Sequence, residues 1–311
     1  MDKYASLKGF VMLLRNLEND VVQSAGKGVT NIIKAPEGAF DKFKAQANST
    51  LSGKVDLDGL KVMNSGELLK TNIPEREELL GNFILSRTIN NISGEAGCGK
   101  STLAMAACTA ISTGGRFLKW QAEMPSKVLY IDGEMLLSDL KIRIKKICHE
   151  LSVNQKLLFM ENLIFLNGEF CEDGLPSLLT SEGQMLIELK LLESRAKVVV
   201  LDNLTSLLPD ADSADTIAMK AFLQWLKNLR YAGYTVITIN HMTKSGARCG
   251  SVVLDTYNDM TIDLTAEVRN KEKTGNTRFT FAKSRHLSAS QKKDFIYRYD
   301  DDESGQTFTL V

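Results

Sequence analysis

From about residue 61 onward, short and nearly unbroken apolar runs alternate with longer stretches of helical period. Lys127-Val128-Leu129-Tyr130-Ile131-Asp132, Leu163-Ile164-Phe165-Leu166, Lys197-Val198-Val199-Val200-Leu201-Asp202 and Tyr234-Thr235-Val236-Ile237-Thr238-Ile239 read as strands. Their near-continuous hydrophobicity suits strands covered on both faces. Between them the spacing predicts helices. One runs from Ser138, read as its cap, to Leu151. A second starts at Ser181, again read as a cap, and puts Met185, Leu186 and Leu189 on one face. A third, Ser213 to Arg230, aligns Met219, Phe222, Leu223, Leu226 and Leu229. Strands alternating with helices predict an α/β fold with a mostly parallel sheet. The tail differs. Met260–Leu264, Arg278–Ala282, Phe295–Tyr299 and Thr307–Leu310 read as strands joined by polar turns, an antiparallel extension.

Residues 1 to 60 have another character. Phe10, Val11, Leu13, Leu14 and Leu17 recur at helical spacing, and looser helical patterns follow at Val29–Ile33 and Phe40–Ala47. Ser49-Thr50-Leu51-Ser52-Gly53 reads as a linker. The expected division is a helical appendage over 1–60 and an α/β domain over 61–311. The appendage suits helices packed on the main domain or on a neighbouring subunit, or an arm that docks a partner.

Composition narrows the classes. The 311 residues are 43% hydrophobic, enough for a sizeable core, and the formal net charge is zero. No global basic field points to nucleic acid, so any such contact must come from a local patch. The five cysteines are scattered and form no C-x-x-C pair, which fits a reducing cytosol. No apolar run approaches the roughly 20 residues that span a bilayer. Met1 to Arg15 has an early Asp2 and no small-residue cleavage site, and is not read as a signal peptide. A cytoplasmic protein without a membrane partner is the expectation.

The chemistry concentrates in Gly94-Glu95-Ala96-Gly97-Cys98-Gly99-Lys100-Ser101, which fits G-x-x-x-x-G-K-[ST]. Glycines let the backbone wrap a phosphate with its N–H groups pointing inward. Lys100 would reach the β- and γ-phosphates of ATP, and the Ser101 hydroxyl would ligate Mg²⁺. Arg87–Ser93 reads as the preceding strand and Thr102–Ile111 as a small-residue helix, the order the motif requires. The nucleotide-binding set read here is Gly94, Gly97, Cys98, Gly99, Lys100, Ser101 and Thr102.

Further candidates follow along the chain. Asp202 ends the most apolar strand, where open α/β sheets gather their ligands, and is read as the second Mg²⁺ residue. Its neighbour Asn203 is not a base, so the water-activating carboxylate is sought beside the adjacent strand, in Asp132-Gly133-Glu134-Met135. Glu134 is taken for that role, with Asp132 as its rival. His241 follows a strand end and reads as a γ-phosphate sensor or as a structural hydrogen-bonder. The loop Met242–Ser251 carries Lys244 and Arg248 and no acid. It suits a nucleic-acid backbone or a plain solvated loop. Lys283-Ser284-Arg285 places two cations at i, i+2 on an extended chain, so they project to one side. They read as an arginine finger or as a basic turn.

Taken in order, the segments Gly94–Ser101, Val128–Met135, Val198–Leu204, His241 with Lys244-Ser245-Gly246, and Lys283-Ser284-Arg285 resemble the RepA-type plasmid helicases. These are RecA/DnaB-like ATPases of plasmids, phages and bacterial mobile elements. Thr113–Trp120 is similar too, and the resemblance covers about residues 64–311. It implies a RecA-like core, a ring of six subunits, ATP hydrolysis at subunit interfaces and single-stranded DNA in the channel. By position it implies phosphate and Mg²⁺ binding by Lys100 and Ser101, water activation by Glu134 and Mg²⁺ organisation by Asp202. It further implies sensing by His241, DNA contact by Lys244 and Arg248, and a finger in trans from Lys283 and Arg285. Two features depart from the pattern. Residues 1–60 match nothing in that family, although they could dock a replication partner. Cys249-Gly250-Ser251 stands where relatives carry Arg-Gly-Ser or Arg-Gly-Thr. The alternative from the same residues is a RecA-like ATPase acting as an oligomeric switch, or as a recombination or replication accessory protein.

Overall fold

The computed structural model describes residues 62–209, 216–242, 255–269, 272–302 and 305–311. Residues 1–60, the start of the predicted Ser213 helix, Lys244 and Arg248 lie outside them. The chain divides into two units between Ile73 and Pro74. In the first, α1 (Ser65–Lys70) opens with a capping box between Asn64 and Glu67.

The second unit is built on a nine-stranded sheet in the order β13-β12-β11-β10-β3-β9-β8-β6-β7. Its parallel half comprises β10 (Met260–Arg269), β3 (Ile89–Gly94), β9 (Thr235–His241), β8 (Val198–Asp202), β6 (Val128–Asp132) and β7 (Leu163–Asn167). β11 (Glu272–Ser284), β12 (Phe295–Asp302) and β13 (Gly305–Leu310) extend it antiparallel. Both halves agree with the sequence pattern. Two short hairpins, β1 (Glu78–Leu80) with β2 (Ile84–Leu85) and β4 (Arg116–Phe117) with β5 (Trp120–Gln121), lie outside this sheet.

Strand alternation builds two cores. Val198 and Val200 face the same core as Leu103, Met105 and Ile111 of α2 (Lys100–Thr113). That core also holds Leu140 and Ile147 of α3 (Leu137–Glu150), and Phe159 of α4 (Val153–Asn162). Val199 and Leu201 face the other core, with Ile187 and Leu191 of α5 (Ser181–Ser194). Phe222, Leu226 and Leu229 of α7 (Thr216–Tyr231) complete it, beyond the short α6 (Leu204–Leu207). Among the described residues no helix is long and apolar enough to cross a membrane.

Two caps move. Ser138 lies inside α3, whose cap position is Leu136, and the Leu137 N–H is taken instead by the Glu169 carboxylate at 3.0 Å. Thr180, one residue before Ser181, caps α5 by accepting from the Gly183 N–H at 3.1 Å. Helix α4 lies in a stretch to which the hydrophobic pattern assigns no element, although Ser152 and Gln155 form a capping box for it. Its amphipathic pattern is weak, with Val153, Leu157 and Met160 exposed.

Rings pin the antiparallel extension to the rest. Phe279 is fully buried, with its centroid 4.6 Å from Phe295, 5.1 Å from Phe281, 5.7 Å from Trp120 and 5.8 Å from Phe83. Phe279→Ala is therefore expected to cost about 3–5 kcal/mol, read from urea unfolding midpoints. A loss below about 1 kcal/mol would mean that the cluster collapses around the gap rather than holding the extension.

Candidate functional site

The parallel strands end along one rim, and the register fixes which residues meet there. Gly94 of β3 pairs with His241 of β9, and Asp132 of β6 pairs with Asp202 of β8. A cleft of about 400 Å³ opens at this rim. Gly97, Gly99, Lys100, Ser101 and Thr102 line one side, with Asp132, Glu134, Asp202 and His241 opposite. Residues predicted from four distant segments thus share one cavity.

The glycine loop is shaped by its backbone. Gly97 and Gly99 take φ of +75° and +88°, the left-handed region that other residues enter at a cost. At Gly94 the need is space, since a Cβ there would lie 2.5 Å from Cys98 Sγ and 2.7 Å from the Leu264 carbonyl oxygen. Cys98 packs against the core rather than facing the cleft, and burial raises its thiol pKa. Lys100 is buried, and its ammonium donates to the Gly94 and Glu95 carbonyls at 3.0 and 2.8 Å.

The carboxylates are held by the sheet. Asp202 Oδ1 accepts from Ser101 Oγ at 3.0 Å, and Oδ2 accepts from the buried Tyr130 hydroxyl at 2.5 Å. Burial pushes the Asp202 pKa up to about 6, against the pull of these two hydrogen bonds. Burial also raises Asp132 and lowers His241, the latter helped by the Lys100 charge. Asp132 Oδ1 accepts from the Glu134 and Met135 N–H groups at 3.0 and 2.9 Å, so it braces the turn that carries Glu134.

Two further residues belong to this cleft. Asn203, set aside as no base, donates from its amide nitrogen to Glu134 and lies 3.1 Å from His241 Nε2. It joins the two candidate polar groups that flank the cleft. Arg143 of α3 also lines the cleft, and its Nη1 is buried without a hydrogen-bond partner. A lone arginine within a helix carries no sequence signal for a place in the cleft.

Lys283 and Arg285 are not part of this cavity. They sit at the other end of the strands, because β11 runs antiparallel to β10 and Ser284 pairs with Met260, itself level with Asn90. The six residues of β3 put roughly 16 Å between its two ends, beyond the reach of one arginine side chain. Both cations turn to one segment. Lys283 donates to the Asp255 carbonyl, and Arg285 to the Thr256 carbonyl at 2.8 Å.

Residues 59–247 match the AAA domain family. The chain belongs to that family. With its central parallel sheet and glycine loop it is a RecA-like P-loop ATPase. DNA repair protein RadA of Brucella abortus (strain 2308) is 23% identical over 218 residues, covering 69% of this chain and 39% of that relative. The chain thus spans about two-fifths of that relative's length.

A P-loop ATPase implies a nucleotide and usually Mg²⁺, and the residues present fit both. Helix α2 begins behind Gly99, which supplies no side-chain cap, and its first turn carries no acid. Its first N–H groups and its dipole are left for an anion. Among the described residues no group of three His, Cys, Asp or Glu could hold a metal ion unaided. One carboxylate (Asp202), one hydroxyl (Ser101) and substrate phosphates form the kind of set that suits Mg²⁺. Asp132 Oδ2 is buried without a partner in the same cleft.

Asp202 has a stability consequence in the metal-free chain. Its pKa rises from 3.8 to about 6 on folding, so between these values the folded state binds the extra proton. Stability contributed by the protonated acid is present below about pH 4 and lost as pH rises to about 6. Asp202→Asn removes that component. The difference between wild-type and variant denaturation midpoints should therefore change across pH 4–6 and be flat above it. A difference that is flat throughout would show that Asp202 ionises normally.

Proposed function

We propose that this ATPase works as a ring, of six subunits by resemblance, that hydrolyses ATP at subunit interfaces. It moves along single-stranded DNA and unwinds duplex in the replication of a plasmid, phage or mobile element. The observation that carries this reading is the separation of Arg285 from its own glycine loop. A cation pair that cannot reach the nucleotide of its own chain makes sense as a group presented to the next chain. The order of motifs shared with RepA-type helicases supports the same reading. Lys244 and Arg248 would contact the DNA backbone, and residues 1–60 would pack the ring or dock a replication partner.

In this reading Lys100 and the α2 N–H groups bind and orient the phosphates. Ser101 and Asp202 would hold Mg²⁺, which would supply neutralisation of phosphate charge. Glu134 orients the attacking water and takes its proton, while Asp132 holds the turn. His241 reads the γ-phosphate and passes its state through Asn203 to Glu134. Phosphoryl transfer depends mainly on such positioning and charge stabilisation, which a rigid strand rim provides.

A second reading keeps the ATPase and drops unwinding: an oligomeric switch or accessory protein in recombination or replication. The similarity to a DNA repair protein favours it. Strand displacement with ATP and single-stranded DNA, run beside a size measurement, separates the two.

Lys100→Ala should abolish hydrolysis and weaken nucleotide binding. Glu134→Gln should keep ATP binding while turnover falls roughly 10²-fold or more. If Asp132→Asn gives the larger loss and Glu134→Gln stays active, the two carboxylates exchange roles. Arg285→Ala should bind ATP and assemble yet hydrolyse at least about 10³-fold more slowly. Mixed with Lys100→Ala subunits it should regain activity, because an intact loop then faces an intact cation. Co-assembled mixtures that stay inactive at every ratio would remove the shared-site reading.

A further inference from the structure

Asp259 is 2% exposed and lies one residue before β10, between Ile89 on one side and Arg285 on the other. Its backbone joins the two in the ladder. The Asp259 N–H donates to the Ile89 carbonyl at 2.8 Å, and the Arg285 N–H donates to the Asp259 carbonyl at 2.9 Å. Its carboxylate repeats the connection. Oδ2 accepts from the Ile89 N–H at 3.0 Å, and Oδ1 lies 3.5 Å from Arg285 Nη1. Arg230 of α7 approaches the same carboxylate at 3.2 Å and is itself mostly buried.

A carboxylate this deeply buried needs compensation, and Arg230 with the Ile89 N–H already supplies a charge and a donor. Arg285 is different. Its side chain is 48% exposed, so pairing is not required to bury it. Its guanidinium is nevertheless gripped twice, by the carboxylate through Nη1 and by the Thr256 carbonyl through Nη2 at 2.8 Å. Two contacts on one planar fork fix a direction as well as a position. Lys283, two residues earlier, is tied to the same segment through Asp255.

We infer that Asp259 is the positioning residue for Arg285, aiming its guanidinium outward at the nucleotide of the adjoining subunit. This rests on the reading of Arg285 as a group acting in trans. Asp259 touches no substrate. It acts by removing the rotamer freedom that a half-exposed arginine otherwise keeps, and a misaligned catalytic group costs up to about 10²-fold in rate.

The test is a partition between a chain's own site and its neighbour's. Full-length Asp259→Asn is assayed for ATP turnover alone, mixed with Lys100→Ala, and mixed with Arg285→Ala. Co-assembly is checked by size in each case. Alone, it should lose roughly 10- to 100-fold in kcat with KM for ATP little changed. Mixed with Lys100→Ala, activity should return, because the variant's intact loop meets a correctly held Arg285. Mixed with Arg285→Ala, it should not. The reverse pattern, recovery with Arg285→Ala and none with Lys100→Ala, would overturn the inference. It would mean that Asp259 serves its own strand β3 and glycine loop. Failure of the control pair, Lys100→Ala with Arg285→Ala, would instead strike the trans reading itself. Should Asp259→Asn not fold, Arg285→Lys keeps the charge and cannot span both holds. It should lose turnover and be rescued only by Lys100→Ala. Wild-type turnover from that variant would show that the forked hold is dispensable, and the inference fails.

Discussion

Ser101 and Asp202 are separated by 101 residues and meet at 3.0 Å because β3 and β8 run parallel with only β9 between them. That arrangement is the constraint on which the site depends. It aligns the glycine loop, His241, Asp202 and Asp132 along one rim, each delivered by a different strand end. The strands can do this because they are buried on both faces. A one-residue slip would turn Val199 and Leu201 toward the wrong core and move the rim residues with them.

Burial that secures the register also sets the electrostatics. Three acids crowd the rim, and one of them, the buried Asp202, is raised to about 6 by loss of water and by its acidic neighbours. Tyr130 and Ser101 satisfy both of its oxygens, so the carboxylate is oriented although it is costly to ionise. Asp132 and Arg143 each keep an unpartnered buried atom. Folded proteins pair most such groups. These two line the cleft beside a helix N-terminus that lacks a side-chain cap, where a charged ligand can complete their hydrogen bonding.

The opposite end of the sheet is organised by the same strand. Ile89 begins β3 and Gly94 ends it. At the start, Ile89 is bonded to Asp259, which also approaches Arg230 and Arg285. One rigid strand therefore has the glycine loop at one end and a fixed cationic group at the other.

The sequence by itself determined the parallel α/β core, the antiparallel extension and the glycine loop. These are local facts: apolar runs need two covered faces, and glycines adopt backbone angles that other residues avoid. It also marked Asp202 and Glu134, because each follows an apolar run at a strand end. Caps were read one or two residues away from where they act, since Ser138 and Ser181 are polar residues near a helix start in a region where Glu169 and Thr180 do the capping. Tertiary structure alone decided who meets whom. Asn203 joins Glu134 to His241, Tyr130 holds Asp202, and Asp259 holds Arg285, each across many residues of chain. None of these pairings has a spacing or a period. They follow from strand order, and strand order is set by the packing of whole elements rather than by any segment read alone.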